Sequence, residues 1–455
     1  MKRLFDALPY LIAALGFITC VVAYYPGILE PDSLDQLSQA QSGRFDDWHP
    51  PIMALLWRGL NFLYFGPQLL FLLHLAMFWA SLVLIGRGLT ALGAVWGWAF
   101  PAIGFAPWML PLLGVLISDV AVVSAWMFAA ALLFYRRARG EQLGGASLVV
   151  AALAFAYGTL ARANTIFAAA ALVFYGLSEL APNLRRLRWG AAALTPAAVL
   201  GAAALFNAAV ASSDYPTGSL QTFDLGGISH FTGRNMMPGR WSAADASKIV
   251  QCYQPDGWDI YEAPACAQAA SKLQAENLWT RAALSQAWIG AIAQHPSAYI
   301  QHRLDYANHF FRWLGRLPPG ALDFDTEPDA PPAFAHPSNA VYEFYADLAE
   351  TDYVALRPYF WLALGVGVLV LACLAQPSPA QRLAQALGAS SLLYLLFYIV
   401  VGVASDYRYA LWSIAATMTA AAALALCQWR KLRLALGAVC GAVVMGAAIA
   451  MAQLY

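Results

Sequence analysis

Charged residues are scarce in this chain. Asp, Glu, Lys and Arg make up 11% of its 455 residues, against about a quarter in soluble proteins. With 60% of positions hydrophobic, that deficit excludes an ordinary soluble domain and points to a polytopic membrane protein. Basic and acidic residues balance at 26 each, so charge supplies neither a nucleic-acid footprint nor an acidic tail. Several signatures are missing as well. There is no HExxH or CxxC pair to propose zinc and no GxxxxGK[ST] to propose a nucleotide. No small-residue cleavage site follows Tyr24-Tyr25-Pro26, so the first apolar run reads as an anchored helix rather than a signal peptide.

What is present is a series of apolar runs, each roughly 17–25 residues and so long enough to cross a hydrocarbon core. They fall near 7–25, 67–86, 91–113, 117–135, 144–161, 164–181, 189–212, 357–375, 384–404, 409–428 and 434–453. The expectation is an all-α polytopic membrane protein with about eleven transmembrane helices. Lys and Arg resist translocation. Placing the N terminus inside puts Lys2-Arg3, Arg87, Arg136-Arg137, Arg139, Arg185-Arg186, Arg188, Arg382, Arg430-Lys431 and Arg433 together on the cytoplasmic side, half of the 26 basic residues. The chain then divides into an N-terminal transmembrane module (1–213) with an acidic first outer loop (26–66), an extracytoplasmic element (214–356) and C-terminal transmembrane helices (357–455).

The 214–356 element is too long for a simple connection. Apolar residues recur at helical spacing over 266–294 and 296–314, and a Pro-rich stretch, 317–337, reads as an extended loop. Of the six cysteines, Cys252 and Cys266 fall in this element, where an oxidising compartment permits a disulfide; two free thiols are the competing reading.

Polar residues at the span ends collect on the outer side. Asp32, Asp35, Asp46, Asp47 and His49 lie in the first outer loop, Asp119 opens the fourth span, Arg162 and Asn164 sit between the fifth and sixth, and Asp406 and Arg408 between the ninth and tenth. Charges at membrane depth are costly, so they line a cavity, pair or serve a function. Asp119 also reads as a helix-terminal charge or an arginine partner, and Arg162 and Arg408 as interfacial snorkelling residues. Ser33 and Gln36 fit a capping box that starts a surface helix and leaves Asp32 just before the cap, free to project into a cavity; Asp32 as the N-cap itself is the alternative. Pro50-Pro51 starts a second surface helix. Asp46 and Asp47 read as solvated loop residues. His230, among glycines in "GGISHFTG", reads as a loop histidine able to reach the site from above, and His74 as a hydrogen-bonded packing residue.

Acid and arginine at an outer interface suit a lipid-linked phosphosugar: a carboxylate takes the proton of an attacking hydroxyl, and guanidinium groups hold the phosphate. The stretches "YYPGILEPDSLDQLSQAQSGRFDDWHPP", "SDV", "LARANTIF", "HPSAYIQHRL" and "DYRYAL" resemble the recurring motifs of a poorly characterised bacterial branch of the GT-C superfamily, the polyprenyl-phosphate-sugar-dependent glycosyltransferases. Protein O-mannosyltransferases and the aminoarabinose transferase of lipid A are relatives of this shape. The resemblance implies an inverting transferase of the bacterial inner membrane with a periplasmic active site. Its donor would be a polyprenyl-phosphate sugar and its acceptor a lipid, glycan or protein. Asp32 would be the catalytic base, Arg408 and Arg162 would contact the donor phosphate, and Asp119 would lie near the acceptor or a metal. Asp35, His49, His230 and Tyr407 fall among the substrate-contacting positions. The first-loop pair here is D-S-L-D rather than the closer pair of several relatives, which separates Asp35 from its expected role. A divalent metal is compatible with so many carboxylates, but no spacing requires one. The rival class is a secondary transporter or flippase, and a glycan polymerase or ligase would share the donor.

Overall fold

A dense run of glycine and proline keeps one apolar stretch from becoming a helix. The computed structural model describes residues 2–142, 144–314, 331–335, 338–350, 354–427 and 441. Among them, six helices are long and apolar enough to cross a membrane: α1 (Lys2–Tyr24), α4 (Gln68–Ala91), α5 (Ser118–Ala138), α8 (Arg185–Val210), α16 (Pro379–Val401) and α17 (Tyr407–Cys427, with a 3-10 first turn). Three more apolar helices are shorter: α6 (Gly145–Leu160), α7 (Ala168–Leu180) and α15 (Pro358–Leu374). The fold is all-α, but the expected eleven crossing helices are not found. The run near 434–453 lies outside the described residues except for position 441.

The run near 91–113 is the clear correction. It carries Gly93, Gly97, Pro101, Gly104, Pro107 and Pro111, and these residues break an α-helix. It folds as 3-10 turns, Gly97–Phe105 and Pro111–Gly114, pressed against α1 and α4. Two glycines let it approach so closely. A Cβ at Gly104 would stand 2.7 Å from the ring of Trp79, and one at Gly114 2.3 Å from the ring of Tyr24. The segment climbs back along α4, from Gly97 beside Thr90 to Val115, which pairs with Ile28. It therefore returns the chain to the end that carries the acidic loop, and the order of the following helices is preserved.

At that end lie α2 (Pro31–Ser42) and α3 (Ile52–Asn61). The capping box expected at Ser33 is not formed, because the helix starts two residues earlier. Pro31, with its preset φ, takes the first turn behind Glu30. Ser33 is buried and its Oγ donates to Leu116 O at 2.9 Å, while Gln36 Nε2 donates to Asp32 O at 3.4 Å. Asp32 thus sits inside the first turn with its carboxylate unused by the helix. Gly43, at φ 71°, closes α2 by donating to Gln39 O. Asp46 and Asp47 are structural rather than merely solvated. Asp46 accepts from Gln39 and from Trp48 N, Asp47 accepts from Ser213 and from Asp214 N, and β1 (Phe45–Asp46) pairs in parallel with β2 (Ala211–Ser212).

The element after α8 is helical, as expected: α9 (Thr217–Thr232), α10 (Ala243–Gln251), α11 (Ala269–Ala275), α12 (Arg281–Gln294), α13 (Pro296–Phe311) and α14 (Ala340–Glu350). Cys252 and Cys266 form a disulfide, with Cα atoms 5.4 Å apart. A buried polar knot joins α9 to α12 and α13. Asp224 accepts from Trp288 Nε1 at 2.7 Å and lies 3.1 Å from His302 Nε2 and 2.6 Å from Arg303 Nη2. Arg303 then donates to Gly402 O at 2.7 Å and Tyr306 to Ala404 O at 3.0 Å. This ties the element to the strand-like link between α16 and α17. His74 is a packing residue as read, bonded to the Tyr157 hydroxyl at 2.8 Å.

Candidate active site

The link that leads into α17 places Arg408 in the 3-10 turn Tyr407–Ala410, facing the first turn of α2. Arg408 is nearly buried and serves three carboxylates. Its Nη2 donates to Asp32 Oδ2 at 2.9 Å, its Nε to Asp406 Oδ2 at 3.1 Å, and its Nη1 to Glu30. His49 Nε2 approaches the other oxygen of Asp32 at 3.6 Å. A second guanidinium stands nearby. Arg162 donates to Asp119 Oδ2 at 2.6 Å, to Ser118 Oγ at 3.1 Å and to the Tyr398 hydroxyl at 3.3 Å, and it lies 4.7 Å from the centre of the Tyr409 ring. Asn164 also donates to Tyr398.

These groups open into one cavity of about 440 Å³. Asp32, His49, Arg162 and Arg408 all line it, together with Trp48, Trp258 and Asp259, and Phe397 and Val401 of α16 add apolar surface. The rings of Trp48 and Trp258 are 5.5 Å apart, and Trp279 stands within 6.5 Å of both. Comparison with known protein families, curated proteins and solved structures finds no match to this chain.

The electrostatics are uneven. Burial pushes the Glu30 carboxyl up to about 8, against the pull of Arg408 and with help from Asp32 and Asp406. Burial would also raise Asp32, but Arg408, His49 and Arg162 outweigh it and hold the carboxyl below its ordinary value. A third of the Asp32 side chain stays open to the cavity, so an ionised, accessible carboxylate faces the space. Burial, Glu262, Asp406 and Asp32 push Asp259 up to about 6. Among the described residues, no three His, Cys, Asp or Glu side chains converge to hold a metal ion.

Six of the sequence-identified residues therefore line one cavity: Asp32, His49, Arg162, Asn164, Asp406 and Arg408. Others do not reach it. Asp119 is buried behind Arg162 as its ion-pair partner, the alternative reading of that residue. Asp35 shares Gln39 Nε2 with Asp46, at 2.9 and 3.0 Å. Tyr407 is buried and donates to Ala355 O at 2.8 Å. His230 is not in a loop but in the last turn of α9, where it bonds Val250 O at 3.0 Å and stacks on Tyr253. The glycines beside it serve close packing: a Cβ at Gly227 would meet His302 at 2.1 Å. Sequence reasoning assigns no role to Glu30, Asp259, Trp48 or Trp258. Glu30 stands two residues before Asp32 and could have been paired with Arg408 on charge alone; Asp259 and Trp258 lie in the disulfide loop and carry no local signal.

Proposed function

We propose that this chain is a GT-C-type membrane glycosyltransferase that moves a sugar from a polyprenyl phosphate to an acceptor hydroxyl, with inversion, at the periplasmic face of a bacterial inner membrane. The observation that carries this reading is the single cavity shared by Asp32, Arg162 and Arg408 at one end of the bundle. Its apolar wall on α16 offers a path for a lipid tail, and its two tryptophans offer stacking faces for a sugar.

Asp32 takes the proton of the acceptor hydroxyl as its oxygen attacks C1 of the sugar from the side opposite the phosphate. The C1–O bond to phosphate breaks, and the polyprenyl phosphate leaves with the electron pair. Arg162, which carries one carboxylate, and Arg408 stabilise that growing charge. Arg408 is already occupied by three carboxylates, so the phosphate displaces one. His49 orients Asp32.

A transporter reading fits less well, because transporters place ionisable residues near mid-depth on broken helices, whereas these groups gather at one end of the bundle. The test is transfer of a radiolabelled hexose from polyprenyl phosphate by the protein in nanodiscs, over a panel of sugars and acceptors. Asp32→Asn is expected to lower turnover by about 10²–10⁴ in a protein that still folds, as a cooperative thermal melt reads. Wild-type turnover by that variant rejects the assignment of the base, and solute uptake by proteoliposomes without transfer favours the rival.

A further inference from the structure

The end of the bundle opposite the cavity has a site of its own. Helices α5, α6 and α7 enclose an apolar groove of about 210 Å³, running from Leu148 and Leu180 inward to Phe155 and Trp126. Its run along α6, from Leu148 to Phe155, is about 10 Å at 1.5 Å per residue. A helix is about 10 Å across with its side chains and does not enter so small a space; a single hydrocarbon chain does.

The mouth of the groove is polar and basic. Ser147, next to Leu148, accepts from Arg136 Nη1 at 3.3 Å. Glu179, next to Leu180, is held by Arg137 Nε at 2.8 Å and Arg382 Nε at 2.6 Å. Arg139 pairs with Glu141 at 2.6 Å, and Arg136 lies 3.6 Å from the same carboxylate. Four arginines thus share two glutamates, and each arginine side chain keeps 30–43% of its surface exposed. On the groove wall, the side chain of Tyr175 is 3% exposed and its hydroxyl has no hydrogen-bond partner. A buried hydroxyl without a partner is costly, and here it borders both the groove and the Glu179 cluster.

We propose that this groove binds one acyl chain of an anionic bilayer phospholipid, whose phosphate sits at the mouth against Arg136 and Arg137. The net positive charge selects the headgroup, as basic pockets between transmembrane helices do. The Tyr175 hydroxyl donates to an ester or phosphate oxygen of the lipid. The site is independent of the cavity at the other end and holds whether or not the chain transfers sugars.

The experiment is native mass spectrometry of the delipidated full chain, titrated with phosphatidylglycerol and with phosphatidylcholine of identical acyl chains. Phosphatidylglycerol is expected to bind about tenfold more tightly. Gly176→Leu fills the groove, since a Cβ there meets only Leu133 at 3.8 Å; it is expected to abolish that binding, and Ala152→Leu on the facing helix serves if the first variant does not fold. Arg136→Gln is expected to remove the preference between the two lipids while keeping chain binding. Equal affinities in the wild type, undiminished phosphatidylglycerol binding by a folded groove-filled variant, or displacement of the lipid by a short polyprenyl phosphate would each overturn the proposal.

Discussion

The two ends of the bundle bury the same kinds of ions in inverse proportion. At one end a single guanidinium, Arg408, faces Glu30, Asp32 and Asp406; at the other a single carboxylate, Glu179, faces Arg137 and Arg382. The Glu179 cluster is closed: both oxygens are paired and the side chain is 1% exposed. The Arg408 cluster carries a surplus of negative charge and opens into a cavity. A buried ion pair is weak evidence of stabilisation, because desolvation offsets much of its attraction. Closure around Glu179 suits a brace between α5, α7 and α16, whereas carboxyls that open into a cavity stay responsive to a proton.

The largest expected effect comes from removing the central ion at the cavity. Arg408→Ala leaves three carboxylates without their cation and should cost about 3–5 kcal/mol at neutral pH, with part of the loss recovered on acidification as Glu30 takes up a proton. Thermal melts at pH 5 and pH 8 read both quantities, and a loss that is the same at each pH would break the contrast. Next is Glu179→Ala at the other end. Its two arginines keep about a third of their surface in solvent, so the loss should be nearer 1–3 kcal/mol, with no relief in acid and unchanged binding at the cavity.

The last expected change is a slope. Glu30 ionises near 4.5 when unfolded and about 8 when folded, so between those values the folded state holds more protons. Stability should then fall as pH rises across that window. Glu30→Gln should flatten the dependence of melting temperature on pH between 5 and 8.5. An unaltered slope would show that Glu30 is not the group that keeps this cluster responsive.

The site residues legible in the sequence were those that interrupt apolar runs. Arg162 and Arg408 were conspicuous because charge is rare at such positions, and threading the runs was enough to bring them to the side of Asp32. Residues supplied by the element after α8 were not legible. Trp258 and Asp259 reach the cavity only because Cys252 and Cys266 close their loop and because Trp258 N bonds Val403 O at 2.8 Å. His230 was misplaced because adjacent glycines suggest a turn, when here they admit the rings of Tyr261 and His302 against a helix. The segment after α4 was misread for a different reason. Hydropathy reports which atoms are apolar, not where backbone hydrogen bonds go, and only its glycines and prolines carried the warning.

That segment ties its neighbours into one unit. Irregular backbone survives at membrane depth only where protein covers it, so residues 97–114 cannot enter a bilayer by themselves. Their cover comes from α1 and α4, which also pack against each other. The three therefore form one packing unit, and loss of α4 would leave both α1 and the returning turns without their partner.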